Sequence, residues 1–85
     1  MWRWYRPAVR LRVEFTVEPF VPGIPGPHVR AALDAAAAVG VTVAFGPFGT
    51  AFEADEDEAL TAVGAIVRAA TTAGATRVSV QVEHA

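Results

Sequence analysis

Eighty-five residues make one small domain, which on folding buries only about 60 % of the surface that its unfolded chain exposes. With no Cys, disulfides, thiolate nucleophiles and Cys-based metal sites are excluded, and a net charge of −2 with all seven basic residues Arg leaves no basic stripe for a nucleic acid. No apolar run approaches the ~20 residues needed to span a bilayer, and the opening "MWRWYRPAVR" has no apolar core of a secretory signal, so the expectation is a soluble cytoplasmic protein without membrane insertion.

Residues 1–8 are expected to form an N-terminal appendage, and residues 9–85 a single domain. Trp2, Trp4 and Tyr5 lie among Arg3 and Arg6. Such a segment can touch a membrane interface or a nucleic acid, but one short stretch reads more readily as a tail.

Val9, Leu11, Val13, Phe15 and Val17 then alternate with Arg10, Arg12, Glu14, Thr16 and Glu18. That period of two predicts a half-buried strand. The run "PFVPGIPGP" ends it, because Pro has no backbone N–H to give a ladder. A helix is predicted from Pro27, whose fixed φ suits a first helical position. Val29, Ala32, Leu33, Ala36 and Val39 share one of its faces, and Gly40 stands where a left-handed cap is wanted.

"VTVAF", residues 41–45, predicts a second strand. Gly46-Pro47-Phe48-Gly49 fits a type I turn, and residues 50–54 the returning strand. Asp55 can cap a second helix with Glu58 three residues on, and the acidic run 55–58 suits the positive end of its dipole. Leu60, Val63, Val67 and Ala70 are its expected buried stripe, and its end is expected near Gly74. Val78, Val80 and Val82, alternating with Ser79, Gln81 and Glu83, predict a last strand.

The order β-α-β-β-α-β predicts an α+β, ferredoxin-like domain. Its four-stranded antiparallel sheet has the order 4-1-3-2, with both helices on one face. Val13, Phe15, Val17, Phe52 and the three valines of the last strand should lie under the helices. Glu14, Thr16, Glu18, Glu53, Ser79, Gln81 and Glu83 should share the other face. The loop after the first strand and the turn at 46–49 are expected at one end of the sheet, with several carboxylates nearby. Carboxylates on an open face are usually just solvated; gathered and partly covered, they accept hydrogen bonds from a cation or an amidine-like base. The second strand is a sheet edge and the open face is bare, so self-association is expected to cover them.

Familiar chemistries are missing. There is no G-x-G-x-x-G or Walker A pattern, and the acidic run lacks the alternating ligands and central Gly of an EF-hand. His28 and His84 have no partners at metal-ligand spacing. The only serine, Ser79, lies mid-strand, away from any nucleophile elbow. An acylphosphatase-like enzyme needs an Arg in the first loop and an Asn, and a ferredoxin-like metal chaperone needs a Cys pair there; this chain has neither. No nucleophile–base pair can be named, so the chain reads as a non-enzyme.

"LRVEFTVEPF", "PGPHV" and "GPFGTAFEA" together resemble the small thiamine-binding protein family, over residues 11–83. The resemblance is carried by a first strand ending in Pro19, by a P-x-G-T-x-x-E signature at Pro47, Gly49, Thr50 and Glu53, and by the valine-rich last strand. The family often has Gly after the Glu, where this chain has Ala54. The resemblance implies a non-catalytic carrier or sensor of thiamine or its hydroxymethylpyrimidine part, acting in thiamine uptake, salvage or sensing. It implies a homo-oligomer, a dimer or tetramer with sheet surfaces in the contacts, thiamine transport components as partners, and no cofactor. The ligand-binding residues it implies are Glu18 and Glu53 as carboxylates, with Glu14 as the weaker choice. Phe20, His28 and Phe48 serve as walls, and Thr50 and Gly49 stand beside Glu53. The rival reading is an ACT-like regulatory or assembly module that binds another small metabolite at a subunit interface.

Overall fold

A computed structural model of the chain describes residues 8–19, 26–46 and 49–85. Its elements are β1 (Arg10–Glu18), α1 (Pro27–Val39), β2 (Ala44–Gly46), β3 (Gly49–Asp55), α2 (Glu56–Thr72) and β4 (Arg77–His84). The strands form one antiparallel sheet in the order β2-β3-β1-β4. This is the expected 4-1-3-2 order read from the other edge, and with two helices on one face it is the α+β ferredoxin-like fold. Residues 1–7, Phe20 and the Pro47-Phe48 centre of the predicted turn lie outside the described residues.

The sheet is organised by β1, which has a strand on each side. Its burial alternates residue by residue, with Leu11, Val13, Phe15 and Val17 buried. Register pairs Val13 with Phe52 and Leu11 with Ala54, so those β3 side chains share the covered face. Phe15 and Phe52 meet edge to face, with ring centroids 6.4 Å apart, a favoured aromatic geometry.

Both helices begin and end as their sequences predict. Pro27 opens α1, and Gly40 closes it at φ 100°, its N–H donating to the carbonyls of Ala36 and Ala37. A left-handed φ of this kind favours Gly, the residue without a Cβ. Asp55 caps α2 through a carboxylate oxygen that accepts the Glu58 N–H at 2.9 Å. The Glu56 N–H donates to the Val9 carbonyl at 2.9 Å, which ties the start of α2 to the start of β1. At the opposite end, the Thr76 N–H and hydroxyl both reach the Glu18 carbonyl, at 2.8 and 3.2 Å.

Three packing expectations are corrected. The buried stripe of α2 is Ala59, Ala62, Ile66 and Ala70, whereas Leu60 is 54 % and Val67 36 % exposed. Three alanines and Ile66 make the inner face, so the phase of these residues, not the bulk of Leu60 and Val67, marks it. The β4 valines are also less covered than expected: Val78 and Val80 are half-buried and Val82 is 45 % exposed, because β4 is an edge strand. Lastly, β2 is only Ala44–Gly46 rather than 41–45, paired with Gly49, Thr50 and Ala51 of β3.

Of the fully buried side chains, Ile66 and Val13 are the largest. Ile66→Ala should therefore cost about 2–5 kcal/mol, read from urea denaturation; a loss indistinguishable from zero would show that α2 is not seated through this residue. Asp55→Ala should cost about 1 kcal/mol through loss of the cap, checked by the thermal midpoint of the variant against the native chain.

Candidate functional site

Alternation sends the even-numbered β1 side chains to the face away from the helices, and antiparallel register arranges their neighbours in rows. Arg12 lies between Glu53 on β3 and Glu83 on β4; Glu14 lies between Ala51 and Gln81. In the next row Thr16 pairs with Ser79, and Glu18 with Arg77 follows. Glu14, Glu18, Glu53 and Glu83 thus share this face with Arg10, Arg12 and Arg77, a surplus of negative charge.

The rows differ in height. Gly49 stands where a longer side chain would otherwise fill the surface, and it leaves a shallow depression. It is lined by Glu14, Phe15, Thr16, Gly49, Ser79 and Gln81 and has a volume of about 170 Å³. Gly49 is at φ 155°, and a Cβ built there would meet the Phe15 carbonyl oxygen and the Thr16 methyl, each at 3.2 Å. The residue is therefore restricted to Gly both by conformation and by its close approach to β1. The depression holds one carboxylate, one amide and two hydroxyls, groups that between them donate and accept.

Glu14 is the charged group of the depression. Its Oε1 accepts a hydrogen bond from Arg12 Nη1 at 2.9 Å, with the two side chains 52 % and 37 % exposed. A pair this open is worth only about 0.2–1 kcal/mol, so a better-placed donor can compete for the carboxylate. A second, broader hollow of about 390 Å³ is lined by Arg12, Thr42, Ala44, Ala51, Phe52 and Glu53. Its two charged lining groups are directly opposed across the strands and opposite in sign.

The sequence-predicted site residues do not all meet. Glu14, Glu18 and Glu53 do share the open face. Glu53 stands opposite Arg12 while Glu18 is six residues further along β1, a separation of roughly 20 Å at the rise of a strand. They are not one pair of carboxylates, and the residue at the depression is Glu14. Thr50 departs further from its expected place: it pairs with Phe15, is 5 % exposed and faces the helices, on the opposite side of β3 from Glu53. A spacing of three along a strand always sends two side chains to opposite faces. His28 is half-buried at the start of α1, with Nε2 hydrogen-bonded to the Pro19 carbonyl oxygen. That contact joins the end of β1 to α1 and lies away from the depression. Phe20 and Phe48 fall outside the described residues. Alternation places Thr16, Ser79 and Gln81 on the open face; their meeting in the depression follows from cross-strand register, which alternation alone does not supply.

Among the described residues no group of three or more His, Asp or Glu is placed to hold a metal ion, and no helix is long and apolar enough to cross a membrane.

Comparison with solved structures finds the same fold elsewhere. A domain of unknown function from Bacillus cereus aligns with a TM-score of 0.67 at 23 % identity, covering 92 % of this chain and 76 % of that one. A Streptococcus pneumoniae protein aligns with a TM-score of 0.57 at 25 % identity, covering 89 % and 84 %. A proposed thiamine biosynthesis/salvage protein from Thermotoga maritima aligns with a TM-score of 0.51 at 22 % identity, covering 88 % and 81 %. A search of curated proteins found no match. The family model described as "Thiamine-binding protein" matches residues 13–84, from the core of β1 to the end of β4, and the chain belongs to that family.

Proposed function

We propose that the depression around Glu14 is a non-catalytic binding site for the hydroxymethylpyrimidine end of thiamine, serving uptake, salvage or sensing of the vitamin. The observation that carries this reading is the meeting of Glu14, Thr16, Gly49, Ser79 and Gln81 in one concave patch of a family member. The Thermotoga maritima protein of similar fold, for which a thiamine biosynthesis/salvage role is proposed, is consistent with it.

The chemistry matches group by group. An aminopyrimidine presents an exocyclic amine, which donates, and ring nitrogens, which accept. Glu14 is an acceptor for the amine, and the Thr16 and Ser79 hydroxyls and the Gln81 amide are donors for the ring nitrogens. Gly49 lets a flat ring lie against the sheet. The thiazolium of intact thiamine carries a positive charge, which the carboxylate surplus of the open face favours. At about 170 Å³ the depression is smaller than the ~300 Å³ of a typical small-molecule pocket. It therefore seats one ring and leaves the remainder of the ligand for another surface to cover, which is where a homo-oligomer enters the reading. Glu18, Glu53 and His28 lie outside the depression in this proposal.

Titration calorimetry of the full chain with thiamine, and separately with hydroxymethylpyrimidine, is the test. Both should release or absorb heat and raise the thermal midpoint; no heat and no shift at millimolar ligand, in a folded chain, would end the proposal. A thermal-shift panel of amino acids and other vitamins addresses the ACT-like alternative, which a response to one of these without a response to thiamine would favour. Glu14→Gln should weaken binding by at least about tenfold, the effect of losing one charge-assisted hydrogen bond. Glu53→Gln, in the row beyond, should change it little; the reverse order would move the site to the broader hollow.

A further inference from the structure

We propose that Arg12 is a built-in competitor for Glu14, and that its guanidinium passes to Glu53 when a ligand takes the Glu14 carboxylate. The inference rests on the ligand reading for the identity of the occupant, and deepens it by naming how the site is regulated.

Arg12 pairs along its own strand. Its Nη1 donates to Oε1 of Glu14 at 2.9 Å, two residues on and on the same face of β1. Glu14 is the charged group that lines the depression. The amine of a ligand seeks the same lone pairs as the guanidinium, so the two compete for this oxygen. A ligand that also carries a positive charge repels Arg12 at that distance.

Other acceptors stand closer to Arg12. Its direct cross-strand partners are Glu53 on β3 and Glu83 on β4. Side chains so placed have Cβ atoms roughly 5 Å apart, whereas residues two apart on one strand are separated by about 7 Å. Both glutamates are exposed, and among the described residues neither is in an ion pair. Arg12 is thus bound to the farthest of three acidic neighbours, with the two nearer ones open to it.

Space selects Glu53. The broader hollow of about 390 Å³ is lined by both Arg12 and Glu53. Ala44 and Ala51, paired across β2 and β3, line it as well, and their short side chains leave room for a guanidinium to turn. On the other flank, a ligand held by Ser79 and Gln81 lies toward β4, so Arg12 clears it by turning to β3. The exchange trades one exposed ion pair for another of similar small worth. The two hollows are then parts of one device: the depression receives the ligand, and the broader hollow receives the displaced side chain. Glu53 acts on Arg12 and not on the ligand, so its loss registers at Arg12.

The test follows Arg12 itself, through its Nε resonance in carbon-detected NMR of the full chain. Without ligand, Glu14→Gln should move this resonance, and adding Glu53→Gln should move it again. Glu53→Gln alone should move it far less, because Arg12 is then on Glu14. No response to Glu53→Gln in the Glu14→Gln chain would overturn the transfer, whether or not thiamine binds. In the native chain, saturating thiamine should bring the resonance toward its place in the Glu14→Gln chain. Calorimetry with hydroxymethylpyrimidine, which is uncharged, separates competition from a general effect of charge. Arg12→Gln should bind it on the order of two- to threefold more tightly, part of the worth of an exposed ion pair. Unchanged or weaker binding would refute the competition and leave the ligand site standing. Movement of Arg12 as described, in a chain that binds neither compound, would support the transfer and end the ligand reading alone.

Discussion

Everything in this chain depends on the alternation of β1. Because it is paired on both sides, its odd residues have no exit from the core and its even residues have no route into it. Leu11, Val13, Phe15 and Val17 consequently form the floor on which both helices sit. A shift of one residue would bury Arg12 and Glu14 beneath alanine-rich helices with no partner, at a cost several times that of any single packing defect. The strand phase is thus held by the hydrophobic effect on one face and by desolvation of charge on the other.

The same alternation builds the candidate site. Among the described residues, those that line the depression around Glu14 all stand on strands. It arises because β3 contributes Gly49 beside polar β1 and β4 side chains. Gly49 is necessary for a geometric reason, its close approach to Phe15 and Thr16. The Gly therefore serves the strand pairing and the hollow together. Charge placement then gives the face its preference: Arg12 is set among Glu14, Glu53 and Glu83, so one cation answers three carboxylates and the face stays acidic.

A domain of this size has little interior to spare, and six of the fourteen buried apolar residues among those described are alanines, which add little volume each. Bulk comes from β1, Phe52 and Ile66. Larger apolar side chains that the interior does not use, Phe45, Leu60, Val67 and Val82, remain near the surface.

The sequence by itself was sufficient for the element order, the α+β class, the sheet order and the face assignment of β1, because alternation, Pro, Gly and Asp caps act over a few residues and are written locally. It was sufficient for the helix limits at Pro27, Gly40 and Asp55 for the same reason. It was not sufficient for the inner face of α2, where Leu60 and Val67 outranked Ala59 and Ala62 on hydrophobicity but lost to them on fit. Nor did it decide which carboxylates stand together. Glu18 and Glu53 look paired in a topology diagram, but cross-strand register separates them and groups Glu14 with Thr16, Ser79 and Gln81 instead. Register and helix–sheet distance are properties of the assembled chain, set by hydrogen bonds between residues far apart in sequence, and only the tertiary structure decides them.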